Sequence, residues 1–158
     1  MESAVDPLDA RILALFRDEP RVGVLEASRR LGVARGTVQA RLDRLTTRGV
    51  VTGWGPDIDP AALGYEVMAF VTLEISQRGH RQIEAALGAL PEVLEAHTIT
   101  GAGDMWARIV ARTNTDLQRV VDAVLAIEGV ERSNMVVVLA DGVPYRTAPL
   151  LELAASEG

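Results

Sequence analysis

The sequence predicts an α+β chain in two parts: a helical unit with a helix-turn-helix pattern, then a unit of βαββαβ order. Three observations predict it. Residues Val24 to Gly49, VLEASRRLGVARGTVQARLDRLTTRG, carry apolar residues at helical spacing on both sides of one glycine turn. From Glu66 the pattern changes to β-branched and aromatic runs separated by two amphipathic stretches. Charge divides near the same place. Residues 1–55 hold nine Arg against seven acids, net +2, and residues 56–158 hold seven Arg against fifteen acids, net −8.

Asp6-Pro7 opens the first helix, with Asp as N-cap and Pro at the first helical position. Leu8, Ile12, Leu13, Leu15 and Phe16 supply its apolar face, and it stops near Asp18-Glu19-Pro20. Leu25, Ala27, Ser28 and Leu31 mark the second helix, which ends at Gly32-Val33, where a glycine takes the left-handed backbone of a sharp reversal. The third helix runs from Arg35 to about Arg48, with Val38, Leu42 and Leu45 at i, i+4 and i+7 facing inward. Gly49 follows as its left-handed cap. Ala34 stands at its N-cap and offers no side-chain acceptor. The solvated face presents Arg35, Thr37, Gln39, Asp43, Arg44 and Thr47. These are residue types that read a major groove: Arg on guanine, Gln on adenine, a Thr methyl on thymine. Any amphipathic hairpin shows a polar face, but here six Arg stand against two acids from Val22 to Gly49 in a chain whose net charge is −6. Arg35, Thr37, Gln39, Arg41 and Arg44 are therefore the candidate contacts to double-stranded DNA.

Val50-Val51 continues as an extended segment. Gly53, Gly55, Pro56 and Pro60 then interrupt the chain. This predicts a helix-turn-helix domain over 1–52 and a linker over 53–65 that holds at most one short strand. The second domain spans 66–143, and 144–158 form a tail. Within the second domain the pattern predicts strands at 66–75, 93–100, 104–112 and 132–140, with helices at 78–90 and 114–127. That order is the split βαβ, ferredoxin-like sandwich, with two helices on one face of an antiparallel sheet. In the first strand Met68, Phe70, Thr72 and Glu74 alternate with Val67, Ala69, Val71, Leu73 and Ile75, so both faces are substantially apolar and the uncovered one suits a subunit interface. Gly101-Ala102-Gly103 is a tight connection between the second and third strands.

Composition narrows the function. No apolar run approaches the length of a transmembrane helix, and the first ten residues have no secretory pattern, so a cytoplasmic protein without a membrane partner is expected. With no cysteine there are no disulfides and no thiolate chemistry. His80 and His97 stand in no metal-ligand spacing, and no nucleophile elbow or paired-carboxylate arrangement is present. Neither metal, cofactor nor enzymatic activity is expected. Met68, Met105 and Met135 suit core or interface filling.

Several segments taken together resemble the Lrp/AsnC, or feast/famine, transcriptional regulators: LDARIL (8–13), LGVARGTVQARLDRLTTRGVV (31–51), DIDPAALGYEVMAFV (57–71), PEVLEAHTITGAGDMWARIV (91–110) and LQRVVDAVLAIEGVERS (117–133). The resemblance covers nearly the whole chain. It implies a winged helix-turn-helix reader, a ferredoxin-like effector domain, dimers that often assemble into octamers, and control by amino acids or related small molecules. It also places the effector at Gly101, Ala102, Gly103 and Asp104, with backbone N–H groups for a carboxylate and Asp104 for an ammonium, and with Met135 beside them. Three positions depart from the family pattern: Ala34 replaces a Ser or Thr cap, Met105-Trp106 follow Asp104 where a Tyr is usual nearby, and Met135 replaces Thr. The bulk of Met105, Trp106 and Met135 leads to an expected preference for apolar or aromatic amino acids. Two rival readings are an architectural DNA-binding protein without an effector, and an enzyme or metabolite carrier built on the ferredoxin-like half.

Overall fold

The computed structural model describes residues 5–76 and 79–156. They belong to two compact units, one drawn from residues 1–56 and 143–158 and the other from 57–142.

In the first unit, α1 (Pro7–Asp18) begins with a reciprocal capping box: the Asp6 carboxylate accepts from the Asp9 N–H, and the Asp9 carboxylate accepts from the Asp6 N–H. α2 (Val24–Leu31) ends at Gly32, φ 69°, and the Val33 N–H reaches back to the Ser28 carbonyl. α3 (Arg35–Thr47) starts at Ala34, which supplies no side-chain cap, and ends before Gly49, φ 72°. Ile12, Ala27, Val38 and Leu42 form the centre of the unit, with Leu8, Leu15, Phe16 and Val33 packed around them. Trp54 meets Phe16 edge to face, with ring centroids 5.7 Å apart. Residues 50–66 contain a single 3₁₀ turn, Ala61–Leu63, and no strand. The tail forms a helix over Ala148–Ser156, and it packs on α1 within the same unit.

The second unit is a four-stranded antiparallel sheet: β1 (Val67–Ile75), β2 (Val93–Thr98), β3 (Met105–Ala111) and β4 (Val130–Val137), in the order β2-β3-β1-β4. α4 (His80–Gly88) and α5 (Asn114–Leu125) complete the βαββαβ order. The expected start of α4 at Arg78 lies outside the described residues. Thr113 caps α5, its hydroxyl accepting from the Asp116 N–H. Alternation along β1 sends Ala69, Val71, Leu73 and Ile75 to the buried side, where Ile83 and Leu87 of α4 and Leu117, Val120, Val121 and Val124 of α5 meet them.

β4 begins at Val130, two residues before the expected Arg132, and ends at Val137 rather than Ala140. The cause is local. Gly129, φ 95°, turns the chain directly into the sheet, and its carbonyl accepts from the Ser76 N–H. Glu131 and Arg132 are polar enough to resemble a loop, yet they suit an edge strand, where charge prevents further pairing.

Neither α4 nor α5 packs on the other side of the sheet. Phe70 and Trp106 stack there at 4.9 Å, and His97 stacks on Trp106 at 5.8 Å. Arg108 lies over the Phe70 ring and pairs with Glu95 at 2.8 Å, while Val136 is exposed.

Candidate functional site

Two places carry the residues expected to act, one in each unit. On α3 the core-facing stripe is Val38, Leu42 and Leu45, all buried. That leaves Arg35, Gly36, Gln39 and Ala40 exposed, with Thr37 half-buried beside them. The Gln39 amide donates to Asp43 at 2.9 Å, which holds it along the helix surface. A Cβ added at Gly36 would meet nothing within 4 Å, so no internal packing explains a glycine inside this first turn.

Arg41 and Arg44 are placed differently from Arg35. Arg41 donates to Asp9 at 2.8 Å and also to Asp6, and Arg44 donates to Asp9 at 2.6 Å. The candidate DNA contacts thus include two arginines, Arg41 and Arg44, that are turned toward α1. Asp9 was not among the residues the sequence singled out, and its local bonds with Asp6 at i, i+3 need no distant partner. The Arg41 guanidinium holds the Asp6 carboxyl below the usual carboxylate range, helped by the Asp9 N–H. Asp6 therefore contributes stability that is complete above its ordinary value of 3.8 and is lost as pH falls through its lower folded value.

In the second unit Gly101 and Gly103 both have positive φ, 108° and 99°. Gly103 is pressed against the sheet: a Cβ there would lie 2.4 Å from Thr72 Cγ2 and 3.1 Å from the Leu73 carbonyl oxygen. The Asp104 N–H donates to the Leu73 carbonyl at 2.8 Å, and one Asp104 carboxylate oxygen accepts from the Ile75 N–H at 2.8 Å. Those bonds fix the loop where the β1–β4 register shifts, between Glu74 and Ile75.

Beside it lies an open cleft of ≈ 200 Å³ formed by Ala102, Gly103, Thr72, Glu74, Arg132, Ser133 and Asn134. Cross-strand pairing brings these residues together, Thr72 opposite Asn134 and Glu74 opposite Arg132. Only the register shows this, so Thr72, Glu74, Arg132 and Asn134 were not among the expected residues. Met135, one position along β4, packs against the core on the opposite side of the sheet, and Met105 is buried there too. Strand alternation separates them from the cleft, and the expected apolar preference built on their bulk loses its footing. Trp106 remains on the face away from α4 and α5, stacked between Phe70 and His97.

Comparison with known proteins decides the family. A model described as the Lrp/AsnC ligand binding domain matches residues 68–147, and one described as winged helix-turn-helix DNA-binding matches residues 5–52. The chain belongs to the Lrp/AsnC family. Its members are transcriptional regulators and not enzymes. Over 139 residues this Lrp/AsnC chain is 30% identical to the HTH-type transcriptional regulator FL11 of Pyrococcus furiosus, covering 88% of this chain and 92% of that one. It is 33% identical over 127 residues to an HTH-type transcriptional regulator of Pyrococcus abyssi, covering 80% of each. Among solved structures, Escherichia coli AsnC superposes with a TM-score of 0.84 at 26% identity, covering 93% of this chain and all of that one. A feast or famine regulatory protein from M. tuberculosis complexed with L-methionine has the same fold, with a TM-score of 0.81 at 23% identity, covering 91% of this chain and 98% of that chain.

The Lrp/AsnC chain is thus a transcriptional regulator with a DNA-binding helix-turn-helix and a ligand-binding domain. No helix among the described residues is long and apolar enough to cross a membrane.

Proposed function

We propose that this regulator binds defined DNA sites through the N-terminal half of α3 and that a small zwitterion, an amino acid or a close relative, controls it through the cleft beside Gly103. The observation that carries the reading is the chemistry of that cleft. Glu74 and Arg132 oppose each other across two strands, 3.9 Å apart and both exposed, beside a glycine whose backbone a ligand can approach closely. An ammonium suits Glu74, a carboxylate suits Arg132, and the Asn134 amide and Thr72 hydroxyl supply neutral hydrogen bonds. L-Methionine in the complex with the M. tuberculosis protein supports the ligand class. Arg35, Thr37 and Gln39 are the base- and phosphate-contacting residues of this reading. Asp104, whose carboxylate already accepts from Ile75, acts by holding the loop.

The face of the sheet away from α4 and α5, with Phe70, Trp106 and Val136, is the surface through which two copies pair. Such a pair gives two reading heads for two half-sites. Higher assembly, to octamers, extends the same reading, and the protein works in the cytoplasm with the DNA it reads.

The test is selection of binding sites from random duplexes by the purified protein, with and without a panel of amino acids. Enrichment of a paired motif whose spacing or yield changes with one amino acid is the expected result, with the response lost in Arg132→Gln. Uniform coating of DNA, indifferent to every amino acid, would replace this reading with that of an architectural protein.

A further inference from the structure

Asp9 is a buried carboxylate that the DNA reading leaves unused. Its side chain is 1% exposed, and its two oxygens are divided between two arginines of α3, Oδ1 accepting from Arg41 and Oδ2 from Arg44. Asp6 adds a second negative charge, bonded to Arg41 and 3.8 Å from Arg44. Elsewhere in the unit Arg30 pairs with Glu26 and Glu19, Arg17 with Asp18, and Arg29 lies 3.8 Å from Glu26. Among the described residues, Arg35 and Arg48 have no acid within ion-pair distance. The six arginines between Val22 and Gly49 therefore offer DNA much less charge than their number indicates.

We propose that Asp9, supported by Asp6, withholds Arg41 and Arg44 from the DNA phosphates and so limits sequence-independent binding by the head. The inference rests on the reading of α3 as the DNA-contacting helix. Its physical basis is counterion release. An arginine neutralises a phosphate and displaces a condensed cation only if its charge is not already cancelled, and each phosphate so neutralised contributes a slope of about −0.9 in log affinity against log salt. Background binding to arbitrary DNA is essentially this term, whereas discrimination between sites comes from base contacts. A carboxylate locked onto two arginines lowers the first without touching the second, which raises the ratio of specific to non-specific binding. Asp9 is thus a positioning residue: it acts on DNA through the arginines it holds.

The experiment measures binding of the full-length protein to a labelled duplex of arbitrary sequence across a range of salt concentrations. Arg44→Gln should leave the salt slope at the wild-type value, whereas Arg35→Gln should flatten it by about 0.9 for each head engaged. Asp9→Asn, which leaves Arg41 paired with Asp6 and releases one net positive charge, should steepen the slope by about that same amount and tighten binding at low salt. Asp6→Asn should shift it in the same direction, and because Asn caps a helix as well as Asp, that variant keeps the fold even if Asp9→Asn does not. A role confined to stability would lower the unfolding midpoint of the acid variants and leave their slopes unchanged. Flattening by Arg44→Gln as large as that by Arg35→Gln would overturn the proposal, as would acid variants that fail to steepen the slope. A slope insensitive to Arg35→Gln but steepened by Asp9→Asn would uphold it and fall instead on the assigned reading face.

Discussion

The reading head and the ligand-binding unit hold themselves together by different means. Among its described residues, the second unit buries fourteen apolar side chains in one cluster between its sheet and two helices. The head centres on Ile12, Ala27, Val38 and Leu42, rimmed by half-buried residues, and adds the Asp6–Asp9–Arg41–Arg44 network between α1 and α3. Small units bury a smaller share of their apolar surface, so a tie between helices matters more there. The tie is polar, however, and it draws on arginines of α3, the helix proposed to meet DNA. On that proposal one helix serves both stability and DNA binding, through different side chains. In the second unit the core faces one side of the sheet and the cleft the other, and the pleat keeps them apart.

The largest expected effects test that separation. Each unit holds one tryptophan, Trp54 against Phe16 in the head and Trp106 on β3 in the second unit. Leu73 and Ile12 are fully buried, and truncating either to Ala should cost about 2–5 kcal/mol. In a Trp54→Phe background, Leu73→Ala should lower the denaturation midpoint reported by Trp106. In a Trp106→Phe background, Ile12→Ala should lower the midpoint reported by Trp54. If Leu73→Ala moved both tryptophan signals equally, the two cores would be one cooperative unit and the comparison would fail.

A smaller effect sharpens the view of the cleft. Gly101 and Gly103 share a positive φ, but only Gly103 would drive a Cβ into Thr72 and the Leu73 backbone. Thr72 is β-branched and stiff, so it yields little. Gly101→Ala should cost about 1 kcal/mol from backbone conformation alone. Gly103→Ala should cost about 1–3 kcal/mol and weaken amino-acid binding as well, read by thermal midpoint and calorimetry. Equal effects at the two glycines would mean that the loop is free to move off β1.

What the sequence disclosed follows the same division. Periodicity, caps and glycines are local, so α1, α2, α3 and the βαββαβ order were legible from residues a few positions apart. Asp6-Pro7, Gly32 and Gly49 stand where the pattern placed them. The cleft was half legible. Gly101 to Asp104 are a contiguous motif, whereas Glu74 and Arg132 meet only through a strand register that no local pattern encodes. Met135 was placed beside the wrong neighbours because a one-residue step along a strand exchanges faces. The Asp9 network was hidden for a related reason: its partners lie more than thirty residues away, and the acid already had a local role in the cap.

The smallest effect separates stability from function on α3 itself. Ala34 leaves the first N–H groups of this helix without a side-chain acceptor, and Gly36 sits in its first turn with open space where a Cβ would go. Replacing each by a residue the helix prefers should raise the head's midpoint: Ala34→Ser by about 1 kcal/mol through a cap, Gly36→Ala by about 0.5–1 kcal/mol through lost unfolded-state freedom. Neither change creates a clash within the chain. The two should part on DNA. If α3 enters the groove by its N-terminal half, the missing Cβ at Gly36 is what lets backbone and DNA approach, and Gly36→Ala should weaken binding even as it stabilises the fold. The measurement pairs a thermal midpoint with affinity for a selected duplex. Gly36→Ala binding as tightly as the parent would show that the groove is met by another part of the head.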